Sequence, residues 1–172
     1  TKLKEELARI KQQKAQNAAF VPPPIDPNEE LTRKIYIDIL LREAGWDPFG
    51  ANVPEYAVKN CMPQTNGNNG DGKVDYVLWG NDGKPVAVVE AKRTNRDPRV
   101  GQNQAKCYAD CLEKEFGQRP VIFYTNGFQI WLWDDLSYPP REVFGFYTKD
   151  ELQTLIQRRT LKQPLANQPI NN

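Results

Sequence analysis

The run VDYVLW (74–79), the linking GNDGK (80–84) and the run PVAVVEAK (85–92) decide the fold. Both runs are rich in β-branched and aromatic residues, and Asp82-Gly83 between them is a strong hairpin signal, because such a pair accepts the backbone angles of a tight turn. The second run is apolar almost throughout, which predicts a central strand buried on both faces. It ends in Glu90-Ala91-Lys92. Residues two apart on a strand leave the same face, so Glu90 and Lys92 project together while Ala91 points to the other face and offers its carbonyl. Asp75 lies near the start of the first run, so the hairpin carries it towards Glu90. Asp75, Glu90 and the Ala91 carbonyl form an oxygen donor set suited to Mg2+, which keeps several waters. A cation held there would polarise a phosphate and acidify a bound water, with Lys92 orienting that water or countering charge growing on the phosphorus centre. A Glu-Lys pair at a strand end is ordinarily a solvated ion pair of little energy. Here it terminates the most apolar run of the chain, where a plain surface pair is out of place.

Upstream, 53–60 reads as a further strand, and TNGNNGDG (65–72) as the loop topping its hairpin with the next strand. The Asn and Asp spacing of that loop fits no register of a helix-flanked calcium loop. A first core helix is expected from Pro27, with Ile37, Leu40, Leu41 and Ala44 on one face and Gly45 as its stop. Before it, residues 1–26 comprise a charged segment carrying Leu3, Leu7 and Ile10 at helical spacing, then VPPPIDP, a semi-rigid connector. Downstream, Ala105, Tyr108, Ala109, Leu112 and Phe116 share a helical face closed by Gly117. The strands VIFYT (121–125) and FQIWLWD (128–134) flank the Asn126-Gly127 turn. Thr148 and Glu151 form a capping box for a last helix through about Arg159. The β-β-β-α-β order implies one mixed sheet flanked by helices, an α/β domain spanning 27–160, with 161–172 as a polar tail or linker.

The bulk properties narrow the chemistry. With 172 residues, 39% hydrophobic and 26% charged, the chain suits one soluble domain and has no apolar run approaching the ~20 residues that cross a bilayer. The N-terminus lacks the apolar core of a secretory signal, which makes the cytoplasm the expected compartment. Three cysteines, Cys61, Cys107 and Cys111, are an odd number without an export signal and are expected to be reduced packing thiols. Histidine is absent, which removes histidine general bases, Ser-His-Asp and Cys-His systems, and His-containing zinc sites. Cys107 and Cys111 are one helical turn apart but lack further ligands for zinc. The net charge of +1 decides nothing, since a nucleic-acid partner requires only a local basic surface. Hydrolysis in this chain would have to run on carboxylates, lysine and a hard metal ion.

Further candidates surround this set. Gln104 and Tyr108 are one helical turn apart and project together. Tyr108 also suits a plain core aromatic, whereas Gln104 is harder to explain that way. Arg93, Arg96 and Arg99 precede the helix and Lys106 lies within it, a basic edge able to contact phosphates, or simply a solvated loop. Glu29 and Glu30 are alternatives for an additional acid: helical phase favours Glu30, and both equally suit the first turn of a helix. The run through Phe128, Ile130, Trp131 and Trp133 reads mainly as a core strand with one ring on the outer face.

Four stretches, LTRKIYIDILLREAGW (31–46), GKVDYVLW (72–79), PVAVVEAKR (85–93) with GQNQAKCYAD (101–110), and FYTNGFQIWLWD (123–134), resemble in order the PD-(D/E)xK nucleases. Within that class they resemble the N-terminal endonuclease domain of type I restriction enzyme restriction subunits. The likeness runs roughly from Glu29 to Asp134, and Gln104 with Tyr108 matches the Gln-xxx-Tyr helix motif that follows the E-x-K strand in many such nucleases. Val74 stands where the motif has proline; Asp75 bears the chemistry. The family's spacing favours Glu29 over Glu30, against the helical phase. The resemblance implies a restriction-endonuclease-like fold with Asp75, Glu90, Lys92, Gln104 and Tyr108 as catalytic residues, and Asp75, Glu90 and Ala91 as ligands of Mg2+, with Mn2+ as an alternative. It further implies cleavage of double-stranded DNA beside methylase and specificity subunits, with ATP needed only at a downstream motor outside this chain. A stand-alone nuclease or repair enzyme of the same fold is the alternative within the class. A catalytically silent nucleic-acid-binding module is the alternative outside it.

Overall fold

The computed structural model describes residues 31, 33–64 and 69–161, so the expected N-terminal helix and connector, Glu29 and Glu30, and the tail beyond 161 lie outside the described residues. A π-helical turn, Arg33–Ile37, runs into helix α1 (Asp38–Glu43). Strands β1 (Pro54–Val58), β2 (Gly72–Trp79) and β3 (Pro85–Ala91) follow, then a 3-10 turn, Pro98–Gly101, and helix α2 (Gln102–Phe116). Strands β4 (Val121–Thr125), β5 (Ile130–Trp133) and β6 (Arg141–Val143) and helix α3 (Lys149–Leu161) complete the order.

The six strands form one sheet in sequence order. Every neighbouring pair is antiparallel except β3 and β4, which run parallel because α2 crosses between them. The expected mixed α/β sheet flanked by helices is therefore the observed architecture. β3 is buried along its whole length, as its apolar run predicts.

Helix α2 covers one face of the sheet, packing Ala105, Tyr108, Ala109 and Leu112 against Val77, Val88, Ile122 and Tyr124. The other face carries α1 and α3, with Ile37, Leu41 and Leu152 against Leu78, Val89, Phe123 and Leu132. Each large aliphatic or aromatic side chain buried there contributes about 1.5–3 kcal/mol by leaving water. Phe123 is fully buried and edge-on to Phe146 at 5.2 Å, and its truncation to alanine would cost ~3–5 kcal/mol.

Local chemistry sets the element ends. Gly45 adopts φ +84 after α1, which allows Gly45 N–H to reach the Arg42 carbonyl and Trp46 N–H the Leu41 carbonyl. This doubly bonded glycine stop satisfies carbonyls that the helix leaves open. The Trp46 indole then donates to the Tyr147 carbonyl at 2.8 Å, tying the segment after α1 to the segment before α3. Thr148 and Glu151 make the expected capping box, the Glu151 carboxylate accepting the Thr148 N–H at 2.8 Å and the Thr148 hydroxyl accepting the Glu151 N–H at 3.3 Å.

Two expectations are corrected. Cys61 and Cys111 form a disulfide across 50 residues, and only Cys107 is a free thiol. The chain after β1 returns over α2, where Gly70 accepts the N–H groups of Cys61 and Met62, and this proximity leaves no trace in cysteine spacing. Strand β6 was not expected: its three residues are exposed or half-buried and carry no alternating pattern.

Candidate active site

Strand register assembles the centre of the site. Tyr76 pairs with Val89 and Val77 with Val88, which brings Asp75, the residue before Tyr76, to the Glu90 end of β3. Strand β2 changes phase at this point. Val74 packs in the core under α2, whereas Tyr76, two residues on, packs in the opposite core; on a regular strand the two would share a face. On the neighbouring strand Glu55, flanked by the pairs Pro54–Tyr76 and Tyr56–Val74, adopts φ +53, a left-handed conformation that non-glycine side chains seldom take. The irregularity frees Asp75 for a bond outside the ladder. Its Oδ2 accepts the Ala91 N–H at 2.7 Å, while on the far side of β3 Lys92 N–H reaches the Thr125 carbonyl at 2.8 Å.

Glu90 is only 3% exposed, on the α2 face, and Ala91 packs in the opposite core, the face alternation expected of this strand end. The Lys92 ammonium donates to Glu90 Oε1 at 2.8 Å and to Gln104 Oε1 at 3.0 Å. Because an ammonium only donates, the Gln104 oxygen must face it, which turns Nε2 towards the Tyr108 hydroxyl at 3.0 Å. Lys92, Gln104 and Tyr108 thus form one hydrogen-bonded chain leading away from Glu90. Burial is the main cause that raises the Tyr108 pKa; the charges of Glu90 and Asp75 raise it further, while hydrogen bonds from Gln104 and the Lys73 backbone oppose the shift. Both carboxylates therefore act on the same hydroxyl.

Two glycines make room for this assembly. A Cβ on Gly101 would lie 3.1 Å from both Glu90 Cγ and Lys92 Cε, so a side chain there would press on the Glu90-Lys92 pair and shift it by a few tenths of an ångström. A Cβ on Gly72 would lie 2.8 Å from the Tyr108 ring. Sequence reading missed both, since each is marked only by its side-chain neighbours. It read Asn126 only as a turn residue. The Oδ1 of Asn126 accepts the N–H groups of Phe128 at 3.0 Å and Gln129 at 2.8 Å, while Nδ2 donates to the Arg96 carbonyl at 2.9 Å. This residue pins the loop after Lys92 to the turn after β4.

The basic candidates divide. Arg93 and Arg96 are exposed on the loop after Lys92. Arg99 is clamped by Asp97, with contacts of 2.6 to 3.0 Å, and lies 5.9 Å from the Trp131 ring centroid. Lys106 pairs with Asp110 at 3.3 Å. Two residues past Gln104, it is turned by roughly 200° about the helix axis, away from the Gln104-Tyr108 edge.

Among the described residues, no three His, Cys, Asp or Glu side chains gather as a metal cluster. A donor set of two carboxylates with a backbone carbonyl is not such a cluster. All of its donors are oxygens, which fits a hard divalent ion that retains waters and not zinc or copper. No helix among the described residues is long and apolar enough to cross a membrane.

Comparison with known proteins adds an independent line. The curated endonuclease subunit of the type I restriction enzyme EcoKI from Escherichia coli (strain K12) is 33% identical over 106 residues, covering 55% of this chain and 9% of that protein. A solved fragment assigned to an HsdR subunit of a type I restriction enzyme from Vibrio vulnificus YJ016 superposes with a TM-score of 0.60 at 29% identity, covering 76% of this chain and 25% of that one. The chain therefore spans a small part of each relative. The family model described as the type I restriction enzyme R protein N terminus matches residues 53–141, just over half the chain and every residue of the set from Asp75 to Tyr108. The chain belongs to the type I restriction enzyme R protein N-terminal family.

Proposed function

We propose that this chain is the DNA-cleaving part of a type I restriction enzyme's restriction subunit, hydrolysing phosphodiester bonds of double-stranded DNA with a divalent ion, Mg2+ or alternatively Mn2+. The observation that carries the reading is the Lys92 ammonium held between Glu90 Oε1 and Gln104 Oε1, one residue beyond the Ala91 peptide that Asp75 grips. A lysine so fixed has its charge in place before the reaction, and pre-set charge stabilises a transition state without reorganisation. Asp75, Glu90 and the Ala91 carbonyl would hold the ion, which when bound supplies Lewis acidity and an acidified water. Lys92 counters the negative charge that grows on the phosphorus oxygens. Gln104 keeps Lys92 on the reaction side, and Tyr108 anchors Gln104. Arg93 and Arg96 would bind flanking phosphates, which gives affinity without sequence information. By family, methylase and specificity subunits would supply site recognition and a motor beyond this chain would use ATP.

The test is calorimetric titration of Mg2+ into the chain, alongside cleavage of plasmid DNA by the assembled enzyme. Saturable binding that disappears in Glu90→Gln together with cleavage is expected. Unimpaired cleavage by the Glu90→Gln enzyme would overturn the assignment.

A further inference from the structure

On the sheet face beneath α2, strand pairing sets Glu90 beside Tyr124 and Tyr124 beside Trp131, a row running across β3, β4 and β5. The Tyr124 and Trp131 rings lie parallel within 5°, so the row is continuous from the carboxylate to the indole. With strands ~4.8 Å apart, Trp131 stands about 10 Å from the Glu90 position along this row. There it lines a cleft of about 400 Å³, whose other walls include Asn95, Arg96, Asp97, Arg99 and Gln129, with Asn126 bonded into its structure.

The lining is polar and rich in donors. Arg99 and Asp97 neutralise each other, leaving the Arg96 guanidinium as the uncompensated charge. The amides of Asn95 and Gln129 add neutral donors at the rim. The Trp131 Nε1–H is buried without a hydrogen-bond partner among the described residues. A buried donor left open is costly, and an oxygen reaching it through a small ring movement would relieve that cost. The cleft suits an anion whose oxygens accept several hydrogen bonds. A neutral apolar ligand has no counterpart for these groups.

We infer that this cleft binds a backbone phosphodiester of the nucleic-acid strand, a neighbour of the phosphate addressed by the Asp75, Glu90 and Lys92 set. The inference rests on the proposed nuclease reading and adds to it a second phosphate subsite, with Arg96 as its charge and Asn126 as its brace. Holding one phosphate about two strand widths from Glu90 sets the track of the backbone past the site, and with it which bond comes to Lys92.

The test follows the Trp131 indole N–H signal by NMR, assigned by its disappearance in Trp131→Phe, in the full chain without divalent ion. A thymidine tetranucleotide without terminal phosphate should shift this signal. Arg96→Ala and Gln129→Ala should each weaken the apparent affinity by about fivefold or more, the loss of one charge-assisted or neutral hydrogen bond. Asp97→Asn keeps a capping side chain for the 3-10 turn but releases Arg99, and should tighten binding by about fivefold. A signal that does not move, or that moves identically in Arg96→Ala and Asp97→Asn, overturns the subsite. Inorganic phosphate acting at the same or lower concentration than the tetranucleotide overturns its assignment to a nucleic-acid strand. Failure of the nuclease reading looks different: the assembled wild-type enzyme would then not cut DNA with Mg2+, whatever the Trp131 signal did.

Discussion

The Asp75 carboxylate accepts the Ala91 N–H at 2.7 Å, so one acid of the candidate site is bonded to the peptide that links the other acid, Glu90, to the lysine. The phase change of β2 and the left-handed Glu55 opposite it make that bond attainable. Asp75 consequently closes the strand pair, and under the proposed function it would have a second, separable role, offering oxygen to a cation.

Those roles can be pulled apart by substitution. Asp75→Asn retains an oxygen for the Ala91 N–H but loses the charge, so cleavage should vanish while the melting temperature stays near wild type. Asp75→Ala also strands the N–H, adding a loss of about 1–3 kcal/mol. Paired melting and cleavage assays would check this; equal stability of the two variants would show that the bond matters little.

Lys92→Ala should abolish cleavage with little change in DNA affinity, since in the proposed mechanism the ammonium acts on charge present only in the transition state. The structure adds a cost to the fold. Lys92 neutralises a Glu90 side chain that is 4% exposed, and losing such a partner typically costs several kcal/mol, on the order of 3. Chemical denaturation with and without Mg2+ should show lower stability that the ion partly restores. Full cleavage activity in this variant would refute the role.

Gln104→Ala discriminates between support of the core and support of the site. Its amide bridges Lys92 and Tyr108 at the edge of the protein, so its removal should cost only ~1 kcal/mol of stability. Lys92 would lose its lateral hold, and cleavage should fall by about tenfold or more because misplacement of a catalytic group is penalised steeply. A wild-type rate per folded molecule, whatever the loss of stability, would return Gln104 to a structural role.

Alkaline stability probes the floor of the same face. Burial, reinforced by the Asp97 charge and opposed by Arg99, pushes the Tyr124 pKa from 10.0 up to about 12. The folded state then holds the proton more tightly than the unfolded state. Tyr124 therefore adds stability below pH 10 that is lost as pH rises towards 12. Urea midpoints measured across about pH 9 to 11.5 should fall more steeply for wild type than for Tyr124→Phe. Parallel slopes would contradict this assignment.

The sequence carried the centre of the molecule and lost its margins. β3 was legible because a wholly buried strand must be apolar, which makes Glu90 and Lys92 conspicuous at its end; α2 was legible from its helical period and Gly117. The Cys61–Cys111 bond, the Gly101 contact and the Asn126 brace each depend on segments that meet only after the sheet forms. β6 is short and largely exposed, so burial imposed no pattern on it. The basic residues were visible as composition, but their ion pairing, Arg99 with Asp97 and Lys106 with Asp110, became apparent only with the backbone in place.

The alternation at the end of β3 has one more consequence. Glu90 faces α2 while its neighbour Ala91 fills the opposite apolar core, so a slip of one residue in β3 would exchange the two. The carboxylate would then turn, together with Lys92, towards a hydrocarbon environment without Gln104, and burying the pair there costs several kcal/mol, a large share of the net stability of a small domain. A chain mispaired at this strand is thus denied a stable misfold: the geometry that arms the site also proofreads the sheet.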